Sequence, residues 1–183
     1  MAERLVVLSD MWGAKKGMWI TSYLGYLQQY FDIVYYDSQQ LSDLDITEYT
    51  PEKVCEAFHK GGMDTAVAHI LMKEKNNPSH YLTFCAGGLI AWNAALKGLP
   101  MKSLYAVSAL DLQNELERPE VPITLLYGEY HTNIPSDKWA DHMDIPIEVV
   151  PKFGRELYTD EKIIKKVCLN ILETMLKKQY AGL

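Results

Sequence analysis

No stretch of this chain comes near the roughly 20 consecutive apolar residues that a helical membrane span requires. The N-terminal apolar run, Leu5-Val6-Val7-Leu8, is also too short for the core of a signal peptide and follows an acid, Glu3. A soluble, cytoplasmic protein is therefore expected. Positive charge is the scarcer sign, with 18 Lys and Arg against 24 Asp and Glu and a net charge of −6. No basic stripe gathers what there is, so no nucleic-acid partner is expected. Cysteine is sparse: Cys55, Cys85 and Cys168 are odd in number and unequally spaced. That excludes a disulfide framework and a zinc pattern, and fits reduced thiols in a cytosolic compartment. The acidic segment with Asp43, Asp45 and Glu48 lacks the glycine of a calcium loop and reads as a solvated surface loop. No metal and no cofactor are expected.

Internal repeats, low-complexity tracts and interdomain linkers are missing too, so the 183 residues read as one domain, 1–183. Apolar residues at 48% supply a core of ordinary size. What the chain does have is alternation. Apolar, β-forming runs at Leu5–Leu8, Phe31–Tyr36, Tyr81–Phe84, Leu104–Val107, Ile123–Tyr127 and Pro146–Val150 predict six strands. Helical patterns separate them. Trp19, Tyr23, Leu24 and Leu27 share one side, and Thr50-Pro51-Glu52 combines a cap, a proline at the first position and an acid in the first turn. Gly61-Gly62 breaks the helix that follows, and its second piece runs from Thr65 to Glu74. The segment Ser38–Tyr49 is predicted to be a polar surface loop. Ser136 caps a short helix containing Trp139. Thr159 is predicted to cap the last helix, whose stripe of Ile163, Ile164, Val167, Cys168, Ile171, Leu172, Met175 and Leu176 faces the sheet. Strands alternating with helices predict an α/β three-layer sandwich around a mainly parallel six-stranded sheet.

One stretch, His80–Ala95, joins a strand to a helix through Cys85-Ala86-Gly87-Gly88. So abrupt a corner holds the Cys85 side chain at the end of the sheet, backed by the first amides of the helix. A nucleophile is presented in this way, although a buried cysteine beside two packing glycines has the same sequence. In an open parallel sheet, ligands bind beyond the carboxyl ends of the strands. The residues placed there are Asp10 to Gly17, Asp37, Cys85, Ala86, Ser108, His131 and Arg155. His59, His69 and His80 fall elsewhere and read as structural or exposed. Lys15 and Lys16 read as a solvated turn rather than an anion site.

Over nearly its whole length the chain resembles the α/β-hydrolase superfamily. Thr83-Phe84-Cys85-Ala86-Gly87-Gly88 is similar to the nucleophile elbow, with Cys85 in the serine place. Gly128-Glu129-Tyr130-His131 resembles the segment that carries the triad acid, and Phe153-Gly154-Arg155-Glu156-Leu157 the loop that carries the triad histidine. Leu8-Ser9-Asp10-Met11 stands where the family has its oxyanion loop. The resemblance implies Cys85 as nucleophile, the amides of Met11 and Ala86 as the oxyanion hole, and Asp10 and Trp12 beside the substrate. It also marks two departures: arginine stands in the histidine place and histidine in the acid place, so the Ser-His-Asp mechanism is not available. His131 is then the candidate base, in a shifted position, and Arg155 a cation able to lower the thiol pKa. The short Asp111–Pro122 segment implies a lidless, open site.

Two functions follow from the residues and the resemblance. One is a small ester or thioester hydrolase using Cys85, with a small-molecule acyl substrate. The other is a catalytically silent protein that binds a ligand or a partner through the same pocket. A redox-responsive Cys85 thiol is a third possibility.

Overall fold

The protein is described here by a computed structural model covering residues 2–181. The side chains of Lys15 and Leu176 lie outside the described residues. Six strands form one sheet: β1 (Glu3–Leu8), β2 (Phe31–Tyr36), β3 (Ser79–Phe84), β4 (Met101–Val107), β5 (Ile123–Gly128) and β6 (Ile147–Val150). Their order is β2-β1-β3-β4-β5-β6, and every neighbouring pair is parallel. The continuous apolar runs are explained by burial on both faces. Leu5 and Val7 of β1 enter one apolar cluster, while Val6 and Leu8 enter the other.

Helix α1 (Ile20–Leu27) and the final helix, α7 (Glu161–Ala181), cover the Leu5 face. Helices α2 (Ser38–Leu41), α3 (Pro51–Ala57), α4 (Met63–Glu74), α5 (Ala86–Leu96) and α6 (Asp137–Met143) lie on the Val6 face, which makes three layers. Thr50 caps α3 by accepting the Lys53 N–H at 3.3 Å. Gly61, at φ +117°, supplies the expected break between α3 and α4 as a kink.

Two expectations are corrected. Ser38–Tyr49 does not begin as a solvated loop. Asp37 caps α2 by accepting the N–H groups of Gln39 (2.8 Å) and Gln40 (3.2 Å), and Ser38, Leu41 and Ser42 are buried. Only from Asp43 onward are the acids exposed. The last helix is capped by Asp160 rather than Thr159. The Lys162 N–H donates to Asp160 Oδ1 at 2.8 Å, whereas the Thr159 hydroxyl turns back to Glu156 O at 2.9 Å. Thr159 instead closes a separate short turn, Leu157–Thr159.

The strand order fixes the place of the site. From β1 the chain moves outward to β2, then returns to β3 on the other side of β1, so winding reverses between β1 and β3. Ligands of open α/β sheets bind at such a reversal, beyond the carboxyl ends of its strands. Leu8 pairs with Thr83, so the Ser9-Asp10-Met11 and Cys85-Ala86 segments leave the sheet side by side.

Candidate functional site

Cys85 sits on the corner between β3 and α5 with φ +48° and ψ −116°, a conformation that costs an L-residue on the order of 1–3 kcal/mol. Surrounding bonds hold it there. Its N–H donates to Val107 O at 3.0 Å, and its carbonyl accepts from Gly88 and Leu110, each at 3.1 Å. Close packing of α5 on the end of β1 explains Gly87, where an added Cβ would come 2.6 Å from Ser9 O.

Cys85 is 1% exposed, and Met11, Leu110, Tyr127 and Tyr158 are buried as well. The Asp111–Pro122 segment is short, but it is fastened down: the indole N–H groups of Trp92 and Trp139 donate to Glu117 O (3.1 Å) and Glu115 O (3.0 Å). Arg118 in the same segment donates to the carbonyls of Met143, at 2.7 Å, and Asp144, at 2.8 Å.

Burial pushes the Cys85 thiol up from its ordinary 9 to about 12, and the Asp10 carboxylate pushes the same way. The Arg155 guanidinium and the Met11 and Ala86 amides favour the thiolate without overcoming that cost. The two amides named from the family resemblance thus face the sulfur. No hydrogen bond joins Cys85 to a histidine among the described residues.

Asp10, at the end of β1, is 2% exposed and lies within Coulomb range of Cys85. The Tyr158 hydroxyl donates to its Oδ2 at 2.9 Å and the Trp12 N–H to its Oδ1 at 3.1 Å. Burial nevertheless raises its carboxyl to about 6. Tyr158 is positioned from behind: the Tyr23 hydroxyl donates to its carbonyl at 2.9 Å, and its ring packs on Trp19 and Phe84. Sequence reasoning missed Tyr158. It lies 148 residues from Asp10, and nothing in the local pattern marks it. Trp12 packs against the core and its ring carries Lys16, whose ammonium stands 4.0 Å from the ring centroid. The Ala14 N–H donates to Asp37 Oδ2 at 2.6 Å, tying this loop to α2.

His131 is 6% exposed, just beyond β5, with its ring edge-on to Tyr127 at 5.1 Å. Its Nδ1 accepts the Asn133 N–H at 3.1 Å. A neutral imidazole bonded in this way carries its proton on Nε2. That atom is buried and has no partner among the described residues. Burial and the nearby Arg155 charge lower the ring to about 4, so it is neutral at physiological pH.

Arg155 is half-buried in the loop after β6, which is pinned where the Ser108 hydroxyl donates to Arg155 O at 2.7 Å. Its charge acts on Cys85, His131 and Cys55, in each case lowering the pKa. Among the described residues it makes no ion pair, with Glu156, Asp160 and Glu161 included. Of the other histidines, His59 bonds Asp111 at 2.9 Å, His69 bonds Leu41 O at 2.7 Å and His80 bonds Ser103 at 2.7 Å.

No family model matches the chain, and no curated protein matches it. Solved structures do. A candidate hydrolase of the alpha/beta superfamily from Xanthomonas campestris pv. campestris superposes with a TM-score of 0.68 at 14% identity, over 94% of this chain and 99% of that one. Est1E of Butyrivibrio proteoclasticus with bound ferulic acid gives 0.66 at 10% identity, over 96% and 89%. Naproxen esterase from Bacillus subtilis gives 0.62 at 14% identity, over 95% and 84%. Sequence identity this low speaks for architecture alone, and the architecture agrees with the sheet order and the strained corner: the chain has the α/β-hydrolase fold.

Proposed function

We propose that this chain is a small-molecule binding protein with the α/β-hydrolase fold, which holds a ligand at the Cys85 corner without hydrolysing it. The absence, among the described residues, of a base hydrogen-bonded to the Cys85 thiol carries this reading. At pH 7 a thiol with a pKa of about 12 is ionised in roughly one molecule in 10⁵, against about one in 10² for an ordinary thiol. An acyl-enzyme would also need a base to activate water for its release. His131 presents a protonated Nε2, and Arg155 cannot take up a proton. The same burial counts against a redox role for the thiol.

A second reading, a slow Cys85 acyl hydrolase, is favoured by the strained corner and by the two amides facing the sulfur. Turnover of short-chain p-nitrophenyl esters and acyl thioesters by the wild type, Cys85→Ala and Cys85→Ser separates the two. Binding without chemistry predicts equal background rates for all three. A wild-type rate that disappears in Cys85→Ala establishes the hydrolase instead.

A further inference from the structure

We infer that Arg155 and His131 form a subsite for the carboxylate group of a small organic ligand, beside Cys85. This deepens the binding function proposed above and rests on it only in requiring that a small molecule enters at this end of the sheet.

Two independent observations meet here. The His131 Nε2–H is a buried donor with no acceptor among the described residues, in a ring more than nine-tenths buried. Leaving such a donor unsatisfied is costly in a folded protein, and an acceptor from outside removes the cost. Arg155 is a half-buried guanidinium with no carboxylate partner among the described residues, although Glu156 is adjacent and Asp160 and Glu161 are close in sequence. Its planar fork matches the two oxygens of a carboxylate. The loop that carries it touches the loop of His131, where the Tyr130 N–H donates to Phe153 O at 2.9 Å, and from Lys152 to Asp160 it borders open solvent.

The surroundings select the charge of the ligand. One guanidinium and one neutral donor suit a monoanion. Carboxylates stand nearby, with Asp111 acting on His131, and Asp10 and Glu156 on Tyr158. Asp111 is engaged with His59 at 2.9 Å and does not neutralise Arg155. A doubly charged phosphate would meet these carboxylates without a second cation to offset them.

Titration of the purified protein with benzoate, benzamide and inorganic phosphate, followed by the ¹⁵N resonances of the histidine rings and arginine side chains, tests the subsite. Benzoate is expected to shift the His131 Nε2 and Arg155 Nε signals saturably. Benzamide and phosphate are expected to bind at least about tenfold more weakly, and Arg155→Gln to lose at least about tenfold in benzoate affinity. Benzamide binding as well as benzoate, unchanged affinity in Arg155→Gln, or no saturable shift overturns the inference. Should Arg155→Gln fail to fold, the comparison of benzoate with benzamide on the wild type decides alone. Turnover that depends on Cys85 would sink the binding-only function and leave this result standing. A failed benzoate titration would remove the subsite and leave the question of turnover untouched.

Discussion

Replacing His131 by Asn should tilt the dependence of stability on pH, because two buried groups of opposite sign nearly cancel in the wild type. The folded-state pKa of His131 is lowered, from 6.5 to about 4. The unfolded chain therefore binds the proton more tightly, and stability falls as pH drops from about 6.5 toward 4. Asp10 has a raised folded-state pKa, about 6 against 3.8. Here the folded chain binds the proton more tightly, so stability rises as pH drops through the same range. Between pH 7 and pH 4, linkage gives a loss of about 3 kcal/mol from His131 and a gain of about 2 kcal/mol from Asp10. Asn at position 131 keeps an acceptor for the Asn133 N–H and does not titrate, so the Asp10 gain stands alone. Urea unfolding at pH 7 and pH 4 reads the result. The variant should gain about 3 kcal/mol relative to the wild type on acidification, a double difference in which all other groups cancel. Parallel pH profiles for the two proteins would refute the buried, neutral His131.

Iodoacetamide at neutral pH should label Cys85 about a thousandfold more slowly than an ordinary thiol, with half-buried Cys55 labelled first in peptide maps; rapid labelling of Cys85 would contradict its burial and raised pKa. Gly128→Ala places a Cβ 2.4 Å from the carbonyl oxygens of Phe153 and Gly154, so the loop carrying Arg155 must move. A loss of about 1–3 kcal/mol in urea unfolding is expected, and a neutral effect would show that this contact is loose. Tyr158→Phe removes the hydroxyl donated to Asp10 Oδ2. The carboxyl should then titrate above about 6 by ¹³C NMR.

All six strands and the parallel sheet were legible because strands buried on both faces leave continuous apolar runs, such as Leu5–Leu8, bounded by polar loops. The corner at Cys85 was legible for a related reason: β-formers, one reactive residue and two glycines in succession leave few ways to turn. Helix starts were less secure. Thr159 and Asp160 are adjacent and both can cap, and only the backbone geometry decides between them. How the Asp111–Pro122 segment is fastened could not be read from its length, because that depends on indole and guanidinium bonds to distant carbonyls. Nor could the role of His131. Its proton position follows from one backbone amide, that of Asn133, which no sequence spacing reports.

Under the binding function proposed above, Cys85 occupies the strand-to-helix corner without acting as a nucleophile. Intact-mass spectrometry of the wild-type protein, taken over time with excess p-nitrophenyl acetate at pH 7, tests it most directly. No acetyl group is expected on the Cys85 peptide beyond what Cys85→Ala shows elsewhere in the chain. An acetyl group that builds up on Cys85 and then decays as acetate is released would contradict it.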